Sequence, residues 1–290
     1  MRKIEISDDN YLGIDLGASS GRVIMGTLNE GTLTLKEIYR FPNEGIRVFN
    51  SMYWDILYIY RQVLEGLKIF VNEHGEKVSS IGVDTWGVDH VLLDSNDELI
   101  GPVKHYRDNR TEGMLEEMFK IVPKEEIFDH TGIQFMPINT SVHLFSMVHS
   151  NSPRLKIAST ILMIPDYFNF LLSGIKKSEY TIASTSQLCN SRQGTWDFNL
   201  IEKLGLKKEW FCEIINPGTV LGNIRKEISN DLGIDPSIKI VATASHDTAS
   251  AVAAVPADMK EYKRGEWAYI SSGTWSLLGV ELNAPIINTN

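Results

Sequence analysis

The sequence contains very little cysteine, and its two thiols, Cys189 and Cys212, do not form a Cys-x-x-Cys pair. This scarcity argues against a disulfide framework or a zinc site, and it is typical of a reducing cytoplasm, where we expect the chain to reside. No apolar run in the sequence approaches the roughly 20 residues that span a bilayer. The polar stretch at residues 1–10 has no signal-peptide core, so neither membrane insertion nor secretion is expected.

Positive charge is also in the minority, since the chain has a net charge of −9 and a pI near 5.3. A nucleic-acid surface usually needs a basic face, so nucleic acid is not an expected partner. The same acidity is compatible with ATP, because backbone N–H groups and a bound Mg2+ ion can hold a polyphosphate. Apolar residues make up 43% of the chain and charged residues 22%, which is the balance of a soluble globular protein.

Both common nucleotide-binding fingerprints, G-x-x-x-x-G-K-[ST] and G-x-G-x-x-G, are absent. What the chain does have is a succession of strand and helix patterns, which predicts an α/β domain opened by an antiparallel meander of three strands. The predicted strands are residues 11–15, 23–26, 32–41, 80–84, 88–94, 239–244 and 268–271. The predicted helices are residues 53–73, 110–122, 139–150, 155–174 and 246–254, and residues 181–197 are predicted as a loop or short strand.

A turn of small residues follows the first predicted strand. Gly17 and Gly21 permit positive φ and a close approach of phosphate to the backbone, and the serines between them add hydroxyl donors. Arg22 adds a cation, and Asp15 at the strand end can hold Mg2+ through water. The alternative is an ordinary hairpin with turn-type residues.

Residues 84–89 (DTWGVD) place two carboxylates around a tryptophan and a glycine at a predicted strand junction. Hydrogen-bonding groups beside an aromatic face suit a sugar or another polyol. The alternative is a hairpin that packs its tryptophan into the core.

Residues 245–248 (SHDT) follow a buried strand and open a predicted helix. Asp247 is then near a helix N-terminus, where the macrodipole favours the carboxylate form. The alternative is a simple N-cap, which Ser and Asp both serve well.

Residues 271–274 (SSGT) form a second turn of small residues, so that two such turns can hold one phosphate chain from two sides. The chain then ends at Asn290 with no room for a second core, and we expect it to be truncated.

These segments, in this order, resemble the FGGY carbohydrate kinases, and within them the branch that phosphorylates L-rhamnulose. The resemblance runs from about residue 10 to about residue 282. The matching segments are residues 15–22 (DLGASSGR), 81–89 (IGVDTWGVD), 106–111 (YRDNRT), 132–134 (GIQ), 163–168 (MIPDYF), 244–250 (ASHDTAS) and 271–276 (SSGTWS).

The resemblance implies an actin-like, RNase H-like fold, with a mixed sheet flanked by helices and with ATP and Mg2+ bound in a cleft between two domains. Residues 1–255 would be the N-terminal domain, which binds the sugar and carries the first phosphate loop. Residues 256–290 would be the incomplete beginning of the second domain.

The resemblance also implies residue roles, with Asp247 as the catalytic proton acceptor and Asp15 facing the metal through water. The implied sugar contacts are Gly87, His246, Asp247, Thr248, Thr85, Trp86 and Asp89. The implied ATP contacts are Ala18, Ser19, Ser20, Gly21, Arg22 and Thr274.

The implied activity is ATP-dependent phosphorylation of a ketose hydroxyl, most specifically that of L-rhamnulose. Two alternatives remain: another kinase of the family, acting on fuculose, xylulose, ribulose or glycerol, or a non-catalytic actin-like module that senses sugar. Because chains of the family are longer and their second domain supplies the adenosine-binding loops, we expect a fragment or split gene product with little or no activity. The sequence does not indicate an oligomeric state.

Overall fold

The computed structural model describes residues 9–75, 78–257, 263–272 and 276–288. Its strands, in chain order, are β1 (Asp9–Leu16), β2 (Ser20–Asn29), β3 (Thr32–Pro42), β4 (Ile46–Val48), β5 (Ser51–Trp54), β6 (Ser80–Thr85), β7 (His90–Leu93), β8 (Val103–Lys104), β9 (Thr160–Met163), β10 (Ser178–Glu179), β11 (Cys189–Asn190), β12 (Thr195–Trp196), β13 (Ile214–Ile215), β14 (Thr219–Asn223), β15 (Lys239–Ala242), β16 (Ala268–Ser272) and β17 (Ser276–Val280). Its helices are α1 (Ile56–His74), α2 (Met114–Phe119), α3 (Lys124–Thr131), α4 (Thr140–His149), α5 (Arg154–Ile157), α6 (Ile164–Ser173), α7 (Tyr180–Ser184), α8 (Phe198–Lys203), α9 (Lys226–Leu232) and α10 (Asp247–Ala253).

A six-stranded mixed sheet with the order β14-β15-β6-β1-β2-β3 is the centre of the fold. Strands β1, β2 and β3 are antiparallel neighbours, which confirms the predicted opening meander. Strand β6 runs parallel to both β1 and β15, whereas β14 is antiparallel to β15. Because β1, β6 and β15 run in one direction, the residues that follow them meet at one edge of the sheet.

The alternation of side chains along β1 shows which face of the sheet forms the core. Leu12, Ile14 and Leu16 are buried, while the residues between them, including Asp15, point to the opposite face. Helices α1, α6 and α9 contribute apolar side chains to the same core. The buried face therefore anchors the strands, and the end of β1 presents a carboxylate on the other face.

A second hydrophobic cluster lies beside the sheet core and takes its side chains mainly from α2, α3, α4 and α8. The ribbon formed by β7 and β9 separates the two clusters. Its register pairs Val91 with Leu162, which pack in the sheet core, and Leu92 with Ile161, which pack in the second cluster. The ribbon therefore joins the two cores, because alternate residues of each strand serve opposite sides.

The helix predicted over residues 53–73 begins later, at Ile56. Tyr53 and Trp54 belong to β5, which pairs with β4 and β8. Asp55 then caps α1, because its side chain accepts the N–H of Tyr58 at 3.0 Å. The helical spacing of apolar residues predicted the body of the helix correctly. The helix starts later than predicted because Tyr53 and Trp54 pair with β8, which is distant in sequence.

The helix predicted over residues 155–174 is wrong in its first half. The structure has the short α5, then strand β9, and only then α6. Pro165 occupies the first turn of α6, and the residue before a proline is biased away from helical dihedrals. The strand forms because β7, far away in sequence, supplies its pairing partner.

Three further predictions differ from the structure. Residues 110–122 hold a 3₁₀ turn (Asn109–Thr111) and then α2, separated by Gly113 with a φ of 73°. Residues 181–197 contain most of α7 and the paired strands β11 and β12. The strand predicted over residues 88–94 is shortened to β7, because the residues before it form a tight turn.

Candidate active site

Three carboxylates meet where the parallel strands end. Asp15 and Asp84 are register partners across β1 and β6. The chain leaving β15 pairs at His246 with Thr85, at the end of β6, and Asp247 follows as the first residue of α10. Asp15, Asp84 and Asp247 are therefore brought to one edge of the sheet by backbone pairing, before any side-chain contact is considered.

The pKa of Asp84 shows how concentrated the negative charge is at this edge. Burial holds this pKa well above its usual range, and the carboxylates of Asp15 and Asp247 raise it further. The guanidinium of Arg22 acts in the opposite direction but does not outweigh them. A bound cation would relieve this repulsion and favour the ionised form of Asp84.

Asp15 is paired with Arg22, its register partner on β2. Its Oδ2 accepts a hydrogen bond from Nε of Arg22 at 2.7 Å, and Nη2 of Arg22 lies 2.7 Å from the same oxygen as an ion-pair contact. The pair is partly exposed, with side-chain exposures of 39% for Arg22 and 26% for Asp15. Both groups can therefore reach a ligand at the edge of the sheet.

The turn between β1 and β2 is the predicted first phosphate loop, and two of its backbone N–H groups are available to an anion. Among the described residues, no backbone carbonyl accepts the N–H groups of Ala18 and Ser19, so both remain available to an anion. The turn is held by Gly17, whose N–H donates to the carbonyl of Ser20 at 3.0 Å, and by Asn43, which donates to the carbonyl of Gly17 at 2.7 Å.

Gly17 and Gly21 could take positive φ, but neither residue adopts it. Gly21 is required by packing instead. A Cβ at this position would lie 2.3 Å from the ring of Phe41, its register partner on β3.

Asp247, the predicted catalytic residue, has 44% of its side chain accessible. Its Oδ1 accepts the N–H of Thr248 at 2.6 Å and the hydroxyl of Thr248 at 3.2 Å. Nε2 of His246 lies 3.3 Å from the same oxygen, and burial lowers the pKa of His246. These contacts orient the carboxylate, and no described residue donates a hydrogen bond to its Oδ2.

Gly87 borders the space between His246 and Thr185. A Cβ at Gly87 would lie 3.3 Å from Nε2 of His246 and 3.4 Å from both Oγ1 and Cγ2 of Thr185. The missing side chain therefore lets the imidazole of His246 and the side chain of Thr185 lie close to the backbone of Gly87.

The side chains of Thr85, Trp86 and Asp89 are almost inaccessible, with exposures of 0%, 5% and 1%. Oδ2 of Asp89 accepts the indole N–H of Trp86 at 2.9 Å and that of Trp54 at 2.6 Å. Their predicted contact with a sugar stays a prediction, and what the structure shows is a rigid polar core next to Gly87.

One predicted residue lies outside this constellation. Thr274 of the second phosphate turn lies outside the described residues, which stop at Ser272 and resume at Ser276. Within the described part of the chain, no three His, Cys, Asp or Glu side chains are arranged to hold a metal ion. A magnesium ion at Asp15 would therefore keep water ligands, as Mg2+ commonly does.

The family model described as the FGGY family of carbohydrate kinases, N-terminal domain, matches residues 10–254. The chain belongs to the FGGY family. The matched segment contains Asp15, Asp84 and Asp247, so the whole carboxylate edge lies within this family's N-terminal domain.

Two FGGY relatives are similar over almost the whole chain. The rhamnulokinase of Oceanobacillus iheyensis is 47% identical over 278 residues, which cover 96% of this chain and 57% of the relative. The rhamnulokinase of Bacteroides thetaiotaomicron is 42% identical over 278 residues, which cover 96% of this chain and 56% of the relative. The chain thus spans just over half the length of the curated relatives it matches.

Solved structures confirm the fold of this FGGY chain. A carbohydrate kinase from Novosphingobium aromaticivorans superimposes with a TM-score of 0.80 and 20% identity, covering 97% of this chain and 58% of that one. The predicted actin-like fold, a mixed sheet flanked by helices, is therefore confirmed. None of the described helices has the length and apolar character that crossing a membrane requires.

Sequence reasoning missed one buried residue that organises this FGGY site. Glu179, which is fully buried, accepts the N–H of Thr181 at 2.9 Å, that of Ile182 at 3.2 Å and that of Ser245 at 3.1 Å. It caps α7 and holds the loop that leads to α10. A lone Glu in a polar stretch gives no signal of this role, because its partners come from two distant segments.

Asp84 and Thr185 were not among the predicted site residues either. Asp84 was visible as half of a carboxylate pair, and only its parallel register with Asp15 shows that it belongs to the phosphate edge. Thr185 lies in the segment predicted as a loop, and nothing in its neighbourhood along the chain connects it with Gly87.

Proposed function

We propose that this chain forms the sugar-binding part of an ATP-dependent kinase that phosphorylates a ketose hydroxyl, with L-rhamnulose as the preferred sugar and L-rhamnulose 1-phosphate as the product. The observation that carries the proposal is the meeting of Asp15, Asp84 and Asp247 at one sheet edge, beside a turn in which the amides of Ala18 and Ser19 have no acceptor among the described residues. Phosphoryl transfer needs a proton acceptor and groups that neutralise phosphate charge, and both types are present at this edge.

Asp247 is proposed to accept the proton of the attacking sugar hydroxyl. A sugar hydroxyl is a poor nucleophile, and a carboxylate within hydrogen-bond reach can take its proton as the new P–O bond forms. His246 and Thr248 hold one oxygen of Asp247, which keeps the other oxygen oriented. Because the transition state is loose, this orientation matters more than the basicity of the carboxylate.

The residues present fit ATP with Mg2+. When bound, ATP supplies the phosphoryl group and Mg2+ neutralises its negative charge. The crowded carboxylates of Asp15 and Asp84 suit a hard cation with water ligands. The amides of Ala18 and Ser19 and the guanidinium of Arg22 suit phosphate oxygens, and Ser20, Gly21 and Thr274 complete the proposed ATP contacts.

The proposed sugar site centres on Gly87, His246, Asp247 and Thr248, with Thr85, Trp86 and Asp89 next to them. Relatives named rhamnulokinase, 47% and 42% identical, support L-rhamnulose as the sugar. The fold alone does not identify a substrate, because folds host many activities. Fuculose, xylulose, ribulose and glycerol are therefore the comparison compounds in the assay.

The proposed domain division places the boundary near residue 255. The family match ends at residue 254, and the last buried apolar residue within the described part of the chain is Ala242. Residues 1–255 are accordingly assigned to the N-terminal domain and residues 256–290 to the second domain.

The test measures sugar binding and phosphoryl transfer separately. Binding of each ketose is followed by tryptophan fluorescence, since Trp54 and Trp86 lie next to the proposed site. Transfer is followed by ADP release with Mg2+ and ATP. In the full-length enzyme, we expect Asp247→Ala to bind L-rhamnulose almost normally and to lower kcat by about 10²- to 10⁴-fold, the usual contribution of a general base.

Asp231→Ala, an exposed carboxylate on α9, is the matched control and should change neither quantity. Near wild-type kcat for Asp247→Ala would show that the residue is not the base. Stronger binding of another ketose than of L-rhamnulose would replace the proposed substrate. The expectation that the 290 residues alone turn over little ATP stays a prediction, measured in the same assay.

A further inference from the structure

The backbone at Val88 adopts a conformation that a β-branched residue rarely takes. Its φ is +66°, and the N–H of Asp89 donates to the carbonyl of Gly87 at 2.9 Å. This hydrogen bond closes a three-residue γ-turn with a positive φ at its centre, which is the rare and strained form. Strained residues of this kind persist only where their surroundings hold them, and they concentrate at functional sites.

Two threonine hydroxyls hold the strained residue from both sides. Oγ1 of Thr185 accepts the N–H of Val88 at 3.3 Å and donates to the carbonyl of Ile182 at 2.8 Å. Oγ1 of Thr140 donates to the carbonyl of Val88 at 2.6 Å. Thr140 opens α4 and Thr185 follows α7, so two separate helices fix one residue.

The turn determines where its two neighbours lie. On one side, Gly87 borders His246 and Thr185, with 3.3–3.4 Å between the position of a Cβ and their atoms. On the other side, the carboxylate of Asp89 is directed into the core, where Trp54 and Trp86 donate to it. An extended Val88 would not permit the hydrogen bond between Gly87 and Asp89, and the two neighbours would separate.

We propose that Thr140 and Thr185 are positioning residues of the sugar site. Their hydroxyls hold Val88 in its strained turn, and the turn presents Gly87, with His246 beside it, to the ketose. The methyl group of Thr185 also lies against Gly87, so Thr185 contributes to the choice of sugar. This inference rests on the proposed function for its ligand, but the coupling between Val88 and the two threonines is independent of it.

The test is a double-mutant cycle between Thr185→Val and Val88→Gly, with the dissociation constant for L-rhamnulose and the urea midpoint as readouts. Valine keeps the shape of threonine and removes the hydroxyl, whereas glycine takes positive φ without strain. In the wild-type background we expect Thr185→Val to weaken binding by about fivefold to tenfold, the factor for one hydrogen bond of ordinary strength. In the Val88→Gly background the same substitution should change binding by less than about twofold, because no strain remains to be held.

Three further variants separate the hydroxyl from other effects. Thr185→Ser and Thr140→Ser keep the hydroxyl, so they should keep the position of the turn, and a changed preference among ketoses in Thr185→Ser alone would report the methyl group. Thr219→Val is the matched control, because its hydroxyl donates to the carbonyl of Asn216 and to no other atom of the described residues. It should leave binding unchanged.

Equal losses from Thr185→Val in both backgrounds, or no loss in either, would overturn the proposal. Failure of the proposed function would look different, since the unmodified chain would then bind none of the ketoses. In that case the urea midpoints still decide the coupling. A larger shift from Thr185→Val in the wild-type than in the Val88→Gly background supports it, and equal shifts refute it.

Discussion

Asp89 is a carboxyl group with almost no solvent contact. Three donors reach its Oδ2: the indole N–H groups of Trp54 and Trp86, and the backbone N–H of Tyr106 at 3.2 Å. Its Oδ1 has no hydrogen-bond partner, and Nδ1 of His143 lies 3.9 Å away. Burial raises the pKa of Asp89 to about 7, although the indole hydrogen bonds act to lower it.

This raised pKa predicts how stability depends on pH. The folded carboxyl keeps its proton up to about pH 7, whereas the unfolded one loses it near its ordinary value of 3.8. Folding therefore binds a proton in this window, and the free energy of unfolding falls as pH rises from about 4 to 7, by up to about 1.4 kcal/mol per pH unit. Asp89→Asn should flatten this dependence in urea unfolding measured between pH 4 and pH 8.

The slope will not vanish in Asp89→Asn, because burial also raises the pKa values of Asp84 and Asp166. Asp231→Asn changes an exposed carboxylate and should leave the slope as it is in the wild type. If Asp89→Asn and Asp231→Asn give the same slope, the proton is not bound at Asp89.

At the scale of single elements, the β1–β2 hairpin shows that one glycine can serve a different purpose from the one its sequence context suggests. Gly21 sits in a turn of small residues, yet its φ is not positive. The ring of Phe41 occupies the space where a Cβ would be, and this ring in turn packs edge-on against Tyr58 of α1 at a centroid distance of 6.4 Å. The absence of a side chain at Gly21 therefore allows Phe41 to pack against both the hairpin and α1.

Gly21→Ala is expected to destabilise the fold by about 1–3 kcal/mol, because the added methyl would overpack the space taken by Phe41. Gly13→Ala in the same hairpin is the matched control, since a Cβ there meets no atom within 4 Å. Chemical unfolding of both variants provides the comparison. Equal free energies of unfolding for the two would mean that the Phe41 ring moves aside without penalty.

At the scale of the whole molecule, the two hydrophobic clusters share the ribbon of β7 and β9, and the proposed sugar site draws on both sides of it. Gly87 and Asp247 follow strands of the central sheet, whereas Thr140 and Thr185 come with helices of the second cluster. A site built in this way needs both clusters folded at once. Because the two clusters share the side chains of this ribbon, we expect them to unfold as one cooperative unit.

Leu162→Ala tests this cooperativity, because Leu162 is fully buried in the ribbon. Removing its side chain should destabilise the fold by about 2–5 kcal/mol. Far-UV circular dichroism and tryptophan fluorescence should report the same shifted midpoint. Leu33→Ala, at a position that is 58% exposed, should change the free energy of unfolding by less than about 0.5 kcal/mol. Two separate transitions in the unfolding of Leu162→Ala would show that the clusters unfold independently.

The accuracy of the sequence-based predictions follows the range of the interactions involved. The opening meander and α10 were predicted correctly, because alternating apolar residues and a small-residue turn are local signals. Strand β9 was missed because its pairing partner, β7, is distant in sequence. The start of α1 was predicted too early because Tyr53 and Trp54 belong to β5, which pairs with the distant β8. The same limit explains why Glu179 and Thr185 escaped notice, since each acts on a residue of another segment.

Ordered motifs and local periodicity were enough to predict the family, the α/β class and two of the three carboxylates at the sheet edge, because these signals lie along the chain. The folded chain was needed to show that Asp84 lies beside Asp15, that Gly21 accommodates Phe41, and that two threonines hold Val88 in a strained turn. Strand register and side-chain packing create these relations, and both depend on which distant segments pack together around one core.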